Sequence, residues 1–380
     1  MNSNEASRRD FLKASVVGAA VGTLGVLCGR AAGQAAEAEK LKIAGYPYDR
    51  VQGIVDGRVG IEGADVSFHF ENIYSLNNLA FSPEPTYEVS ELGLIPYVTK
   101  YINEDFRAYT LIPVFILRAY RHRNIYVRTD AGIETPADLR GKRMATPGYG
   151  MSASTWIRGF LLDEHGVRAD EMQWIETTQS SDGGAAGGSG FSAFDAETSP
   201  YFLPADFPLV QGPPDIDESE LLLNGDCDAL ITALPPTAFL EGDPRIRPLF
   251  QDARAAEQEY FRKTGLFPIM HAIGIRTDAI DADPELPKAV FEMYSRAKQI
   301  AYDTLNNTGA LMITLPWGAQ ELEDTRRLMG ENFWQYGIEA NRKELESVMR
   351  YTHQQGLVKK RLEFEELFHS STLQLEEVAA

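Results

Sequence analysis

The chain has 380 residues, of which 44% are hydrophobic, so it can bury a large core and is long enough for about two domains. Its 55 Asp and Glu residues outnumber its 36 Lys and Arg residues, which gives a formal charge of -19. Nucleic acids and anionic membranes bind basic faces, so this acidic balance argues against both as partners. The composition also excludes a disordered or fibrous protein.

The N-terminal segment has the pattern of a twin-arginine export signal. The pair Arg8-Arg9 precedes an apolar run at residues 14–28 and a stretch of small residues at 31–36. Such segments are removed on export, so residues 1–38 are predicted to be absent from the mature protein. The twin-arginine export machinery is therefore an expected partner, and the mature protein is expected to be periplasmic and soluble.

A single cysteine, Cys227, remains once the predicted signal is removed. One thiol cannot form an internal disulfide, so the exported protein must be held by its hydrophobic core. The chain has no dinucleotide fingerprint, no P-loop and no Cys and His spacing typical of zinc. We therefore expect neither a cofactor nor a metal site.

The first part of the mature chain alternates between strands and helices. The patterns predict strands at 41–46, 64–70, 87–92 and 108–117, and helices at 48–57 and 94–101. Ser90 and Glu91 end the third strand, where open α/β sheets place ligand-contacting side chains. Asp49 and Arg50 begin the first helix. Capping of a helix is the competing role for Asp49, Ser90 and Glu91.

A basic cluster at residues 118–128 leads into an apolar strand. It contains Arg118, Arg121, His122 and Arg123, although positive charge is scarce in this chain. If the segment is extended, Arg121 and Arg123 share one face and His122 lies on the other. Clustered arginines suit carboxylate ligands, so Arg118 and Arg121 are predicted to bind substrate.

A second segment, residues 266–278, repeats this plan. It contains His271 and ends in Arg276-Thr277-Asp278, and the first segment runs in the same way into Arg128-Thr129-Asp130. Two such strands predict a chain that crosses from one lobe to another and later returns, with a ligand cleft between the lobes. Two unrelated core strands with solvated arginines are the alternative.

A glycine-rich turn at residues 147–154 precedes a predicted helix at 155–165. The free amides and positive dipole of a helix N-terminus suit a carboxylate or another anion. An ordinary strand-to-helix loop capped by Ser152 is the alternative. The predicted substrate contacts in this segment are Tyr149, Gly150, Met151, Ser152 and Arg158.

The remainder of the chain begins with an insertion. Residues 179–214 are rich in glycine at first and then in proline and aromatic residues, which predicts a surface excursion. A strand at 227–232 follows, and Pro235 after it is predicted to face the cleft. The patterns also predict helices at 217–224, 254–263, 284–306, 319–328 and 342–355, so the C-terminal third is largely helical.

Six segments together resemble the 4,5-dihydroxyphthalate decarboxylase family, which is similar in fold to type II periplasmic substrate-binding proteins. They are residues 48–50, 89–91, 121–127, 151–159, 267–271 and 333–342. The resemblance covers nearly the whole mature chain. The chain departs from the family in its export signal, which the family as a rule lacks, and in a longer insertion around residues 180–210.

The resemblance implies an α/β, two-lobed, type II periplasmic-binding-protein-like fold with two hinge crossings and a helical C-terminal region. Together with the crossings, it predicts lobe 1 from residues 41–122 and 273–380. Lobe 2 is predicted from residues 123–272. The expected ligand is a small-molecule carboxylate in the cleft between the lobes.

The resemblance implies a cofactor-free carboxy-lyase that acts on a hydroxylated aromatic dicarboxylate. Such a reaction needs cations that hold the retained carboxylate, a base near the phenol and an acid that protonates the ring. His122 or His271 is the expected acid and Glu91 the expected base. An exposed His122 and a hydrogen-bonded core His271 are the competing interpretations. The predicted substrate-binding residues are Asp49, Arg50, Ser90, Arg118, Arg121, Tyr149, Gly150, Met151, Ser152, Arg158 and Pro235.

A second hypothesis comes from a different class of protein. The same cleft would serve an exported solute-binding protein that delivers an aromatic or other carboxylate to an ABC-type membrane transporter. The family resemblance favours the enzyme, and the export signal favours the receptor. A purely structural protein is not supported by any surface patch in the sequence.

Overall fold

The computed structural model describes residues 40–177, 201–310 and 312–377. The predicted signal at 1–38 and the glycine-rich start of the predicted insertion lie outside these residues.

Within the described residues, five strands form the first sheet. They are β1 (Leu41–Gly45), β2 (Val66–Phe70), β3 (Val89–Gly93), β4 (Tyr109–Arg118) and, from much later in the chain, β11 (Ile269–Arg276). The order is β2-β1-β3-β11-β4. β1 runs parallel to β2 and β3, whereas β11 runs antiparallel to β3 and β4.

Six further strands of the described residues form the second sheet. They are β5 (Ile125–Arg128), β6 (Arg143–Thr146), β7 (Gln173–Glu176), β8 (Leu209–Gln211), β9 (Ala229–Ile231) and β10 (Ile246–Pro248), in the order β10-β5-β9-β6-β7-β8. The strands β9, β6, β7 and β8 are parallel to one another. β8 belongs to the predicted insertion, so the end of that segment extends the sheet.

Helices cover the two sheets. Those of the described residues are α1 (Gln52–Val55), α2 (Ile73–Ala80), α3 (Leu94–Asn103), α4 (Ser152–His165), α5 (Glu218–Asn224), α6 (Thr237–Leu240), α7 (Ala253–Thr264), α8 (Thr277–Ala282), α9 (Leu286–Asn306), α10 (Gly318–Met329) and α11 (Arg342–Gln354). A helix long and apolar enough to cross a membrane does not occur in the described ranges.

The chain crosses between the sheets twice. It leaves β4 for β5 through residues 119–124, and it returns from the second sheet to β11 after α7. The two crossings touch, because the Ala119 amide donates a 3.0 Å hydrogen bond to the Pro268 carbonyl. The predicted α/β fold with two lobes, two crossings and a helical C-terminal region is therefore confirmed. β11 begins at Ile269, so residues 269–272 lie in the first sheet.

The helix α11 and the segment after it connect both lobes. On the side of the second sheet, α11 crosses α4 so closely that a Cβ on Gly159 would lie 2.4 Å from the Tyr351 ring. On the side of the first sheet, the Asn103 side chain donates to the Leu357 carbonyl at 2.9 Å. The C-terminal region therefore ties the two lobes together.

Candidate active site

Glu91 on β3 and His271 on β11 form a buried carboxylate–histidine pair. In the antiparallel register, Glu91 faces Ile273 and Gly93 faces His271. Side chains two residues apart share a face of a sheet, so Glu91 and His271 are diagonal neighbours. His271 Nδ1 lies 2.5 Å from Glu91 Oε1, and both side chains are buried. Sequence analysis proposes both residues as catalytic, and the fold brings them into direct contact.

The loop after β1 supplies two more donors to the Glu91 carboxylate. The Tyr46 amide donates to Oε2 at 3.1 Å, and the Tyr48 hydroxyl donates to Oε1 at 2.8 Å. Burial and the neighbouring Glu91 charge raise the pKa of Tyr48 far above its ordinary value, so the hydroxyl keeps its proton. Three donors therefore fix the orientation of the carboxylate.

The second ring nitrogen of His271, Nε2, is not in contact with Glu91. A carboxylate only accepts hydrogen bonds, so Nδ1 carries the proton that faces Glu91. Nε2 has no hydrogen-bond partner among the described residues. His271 can therefore accept or deliver a proton at Nε2 while Glu91 holds the ring.

Arg121 is a buried cation beside the same strand. Its Nε lies 3.3 Å from Met270 Sδ, and its Nη1 donates to the Ala233 carbonyl at 2.8 Å. Within the described ranges no ion pair involves Arg121, and Nη2 has no hydrogen-bond partner. Burial, and after it the charge of Arg123, lowers the pKa of Arg121 to about 10. A buried guanidinium without a carboxylate is a site for an anionic ligand.

Arg50 is held between two aromatic rings. Its guanidinium lies 4.0 Å from the centre of the Tyr48 ring and 4.1 Å from that of Trp334. Nε donates to the Ile116 carbonyl at 2.7 Å, and Nη1 pairs with Asp49 at 3.2 Å. The predicted binding residue Asp49 is thus the exposed partner of Arg50.

The backbone amides of the glycine-rich turn already have hydrogen-bond partners within the protein. The Tyr149 amide donates to Glu176 Oε1 at 2.7 Å, and the Gly150 amide donates to the Tyr201 hydroxyl at 2.9 Å. The Ser152 hydroxyl accepts from the Ile95 amide of α3 at 3.2 Å. A ligand carboxylate therefore cannot bind these two amides in this conformation. The Glu176 carboxylate already accepts from Tyr149, and the Tyr201 hydroxyl already accepts from Gly150. Met151 is buried beside them.

Arg118 and Arg158, two predicted binding residues, have protein partners. Arg118 forms a buried ion pair with Glu344 at 2.8 Å and donates to Asn341 at 2.7 Å. Arg158 donates to Gln355 Oε1 at 2.8 Å and lies over the Tyr149 ring. Neither guanidinium contacts Glu91 or His271 among the described residues. Both contacts join the C-terminal region to the rest of the fold.

His122 lies in an aromatic cluster. Its ring stacks on Phe160 at 4.2 Å between centroids and contacts Phe250 and Tyr260. Burial, and after it the charge of His165, lowers the pKa of His122 to about 4, so the ring is neutral at pH 7. His122 shares no contact with the Glu91–His271 pair in the described part of the chain. Its neutral state does not suit a proton donor.

The first crossing is also not extended. Residues His122–Asn124 form a 3₁₀ turn, which buries Arg121 and leaves Arg123 exposed. The condition for Arg121 and Arg123 to share a face, an extended segment, is therefore not met.

Two further predicted residues lie close to these groups. The buried Ser90 hydroxyl donates to the Glu91 carbonyl at 3.2 Å, so it supports the strand. Pro235 is half-buried and follows Ala233, whose carbonyl binds Arg121. Sequence reasoning missed Tyr48 and Trp334 as parts of the site. The signal for Tyr48 was its place in the loop after the first strand, directly before Asp49 and Arg50.

No group of three or more His, Cys, Asp or Glu side chains in the described residues could hold a metal ion.

Comparison with curated proteins identifies the family. The chain is 35% identical over 335 residues to a 4,5-dihydroxyphthalate decarboxylase of Comamonas testosteroni, which covers 88% of this chain and 98% of that protein. The chain belongs to the 4,5-dihydroxyphthalate decarboxylase family. A protein of the same name from Pseudomonas putida is 33% identical over 222 residues, which covers 58% of this chain and 81% of that protein.

Two family descriptions match parts of the chain. Residues 5–25 match the twin-arginine translocation pathway signal sequence, which confirms the predicted export to the periplasm. Residues 113–188 match the NMT1/THI5 like family.

Solved structures of similar fold include two kinds of protein. The periplasmic aliphatic sulphonate binding protein SsuA of Escherichia coli has a TM-score of 0.48 at 13% identity, with 87% of this chain and 92% of that chain covered. A variant of the desulfurization enzyme DSZB in complex with biphenyl-2-sulfinic acid has a TM-score of 0.49 at 17% identity, with 88% and 97% covered. The two sheets and two crossings described above give this family member its type II periplasmic-binding-protein-like fold.

Proposed function

We propose that the protein is a cofactor-free decarboxylase of a hydroxylated aromatic dicarboxylate similar to 4,5-dihydroxyphthalate. The observation that carries the proposal is the buried Glu91–His271 pair, whose Nε2 has no partner among the described residues and whose neighbour Met270 contacts Arg121. A histidine and a buried cation thus both contact β11: His271 belongs to this strand, and Arg121 contacts the side chain of the preceding residue, Met270. The names of the family members support this choice of substrate class.

The acid is needed because direct loss of CO2 from an aromatic ring would leave an unstable aryl carbanion. In the proposed reaction, protonated His271 delivers the Nε2 proton to the ring carbon that bears the carboxylate. A hydroxyl para to that carbon pushes electron density toward it, releases its proton to solvent and regains a proton when the aromatic ring is restored. The bond to the carboxylate then breaks, CO2 leaves, and the electron pair restores the aromatic ring. One solvent proton is consumed in each turnover and restores His271.

Arg121 is proposed to hold the carboxylate that the product retains. Its guanidinium is buried, and a charge-assisted contact is strong where water is excluded. Glu91 is proposed to orient and stabilise the protonated ring of His271. This replaces the predicted role of a base at the phenol, because three protein donors already bind the carboxylate.

The C-terminal region favours an enzyme with a fixed cleft. A transport receptor opens and closes about its hinge to load and release ligand. Here α11 binds α4 through Arg350 and Asp163 at 2.5 Å, and the following segment binds the first lobe through Asn103 and Leu357. Wide opening would break these contacts.

A transport receptor for an aromatic or other carboxylate is the second candidate, and the export signal favours it. In that case a membrane transporter would be the partner, and the bound carboxylate would be released unchanged.

The deciding experiment incubates the purified mature protein with a panel of hydroxylated phthalates between pH 5 and 8. We expect CO2 release in a coupled assay and a monocarboxylate product by mass spectrometry. Tight, saturable binding with intact ligand at every pH would overturn the decarboxylase and support the receptor.

A further inference from the structure

The Glu91 carboxylate is shared between the histidine and a tyrosine. His271 Nδ1 and the Tyr48 hydroxyl both contact Oε1, at 2.5 and 2.8 Å. The Tyr46 amide holds the other oxygen, Oε2. The direction in which Glu91 presents Oε1 to His271 therefore depends on Tyr48.

Tyr48 is itself fixed from two sides. The ring of Tyr46 stacks on it with centroids 5.6 Å apart and planes at 25°. Arg50 lies against the Tyr48 ring, while Trp334 and the Ile116 carbonyl hold the guanidinium. The hydroxyl is thereby aimed at Glu91 by packing rather than by a flexible side chain.

Gly45 provides the space that this arrangement needs. The pairing of Ala44 with Ser90 between β1 and β3 places Gly45 beside Glu91. A Cβ on Gly45 would lie 3.0 Å from Glu91 Oε2 and 3.5 Å from Glu91 Cβ. Gly45 does not have a positive φ, so a side chain here is excluded by the carboxylate and not by backbone strain.

We propose that Tyr48 is a positioning residue for the proton donor, and that Gly45 makes room for the carboxylate through which it acts. Tyr48 fixes Glu91, Glu91 fixes the ring of His271, and Nε2 is therefore held in one orientation. The expected effect on rate rests on the proposed function, whereas the effect on the His271 ring does not.

Tyr48→Phe keeps the ring stack and removes the hydroxyl. We expect kcat to fall about 10-fold with KM unchanged within about two-fold, because the lost hydrogen bond to a charged group orients the acid and does not bind substrate. The matched control is Tyr101→Phe, which removes a hydroxyl bound to the Glu366 carbonyl away from the pair. The control should leave both constants unchanged.

NMR of the mature protein without substrate gives an independent readout. The proton between His271 Nδ1 and Glu91 should resonate far downfield in the wild type. It should be absent in Glu91→Gln, shifted in Tyr48→Phe and unchanged in Tyr101→Phe. A wild type that releases no CO2 but shows this pattern would reject the proposed function and retain the positioning role of Tyr48.

Gly45→Ala tests the same network from the other oxygen. The added methyl group should displace the carboxylate by a few tenths of an ångström and lower kcat about 3- to 10-fold, again with little change in KM. Gly60→Ala is its control, because a Cβ there meets no atom within 4 Å.

Unchanged kcat and an unchanged downfield resonance in Tyr48→Phe would overturn the proposal. A raised KM with unchanged kcat would also overturn it, since that result would make Tyr48 a substrate contact.

Discussion

Two histidines and two arginines lie at or beside the two lobe crossings, and the surroundings of these residues differ. His122, in the first crossing, is enclosed by aromatic rings, and Arg118, at the end of β4, is neutralised by Glu344. Around the return strand, His271 contacts a carboxylate with one nitrogen, and Arg121 has no ion-pair partner among the described residues. Residue type alone therefore does not separate structural from functional groups. The two kinds of group differ in whether the protein already supplies a partner for the side chain.

Arg118→Met should be the most destabilising of the changes that probe this contrast. It would leave Glu344 buried without its cation, and breaking a buried pair costs about 3–5 kcal/mol of unfolding free energy. Arg121→Met should cost much less, because no described carboxylate loses its partner. Urea unfolding of both variants measures the difference. Equal losses would remove the distinction between the two arginines.

The fold itself was largely predictable from local patterns. The predicted strand at 41–46 and helix at 94–101 correspond to β1 and α3, because the periodicity of apolar residues reflects the face that each element buries. The contact between Glu91 and His271 was not derivable from spacing. It joins residues 180 positions apart, and it depends on β11 inserting antiparallel between β3 and β4.

The glycine-rich turn shows how a local pattern can predict a site that the fold does not leave open. Its sequence is typical of an anion site, yet its amides donate to Glu176, which lies on β7, and to Tyr201, which lies within the predicted insertion. A local pattern cannot reveal an acceptor supplied by a distant segment.

His122 should make stability depend on pH. The folded state binds a proton at His122 only below a pKa of about 4, whereas the ordinary pKa is 6.5. The unfolded chain therefore binds more protons in that window, and His122 removes about 3 kcal/mol of stability as pH falls from 6.5 to 4.

His122→Phe keeps the aromatic packing and should remove that dependence. Urea unfolding of the wild type and the variant at pH 4.5 and 7 measures it. The same change in unfolding free energy between pH 4.5 and 7 in both proteins would show that His122 is not buried in its neutral form.

Arg121→Gln should weaken substrate binding, and this effect should be smaller in free energy than those predicted for Arg118→Met and His122. A charge-assisted contact is worth about 2 kcal/mol, so affinity for a hydroxylated phthalate should fall about 30-fold. Arg123→Gln is the matched control, because Arg123 carries the same charge in the same crossing but is exposed. Calorimetric titration should find nearly wild-type affinity for the control. Equal losses of affinity in the two variants would show that the effect comes from the overall positive charge of the segment and not from a direct contact of Arg121.

The most direct test compares the two histidines in one assay of CO2 release and ligand affinity. His271→Gln should lower kcat about 100-fold, the typical contribution of a general acid, and should leave affinity within a few-fold of the wild type. His122→Phe should keep kcat within about two-fold at pH 7. Loss of activity in His122→Phe with full activity in His271→Gln would contradict the account.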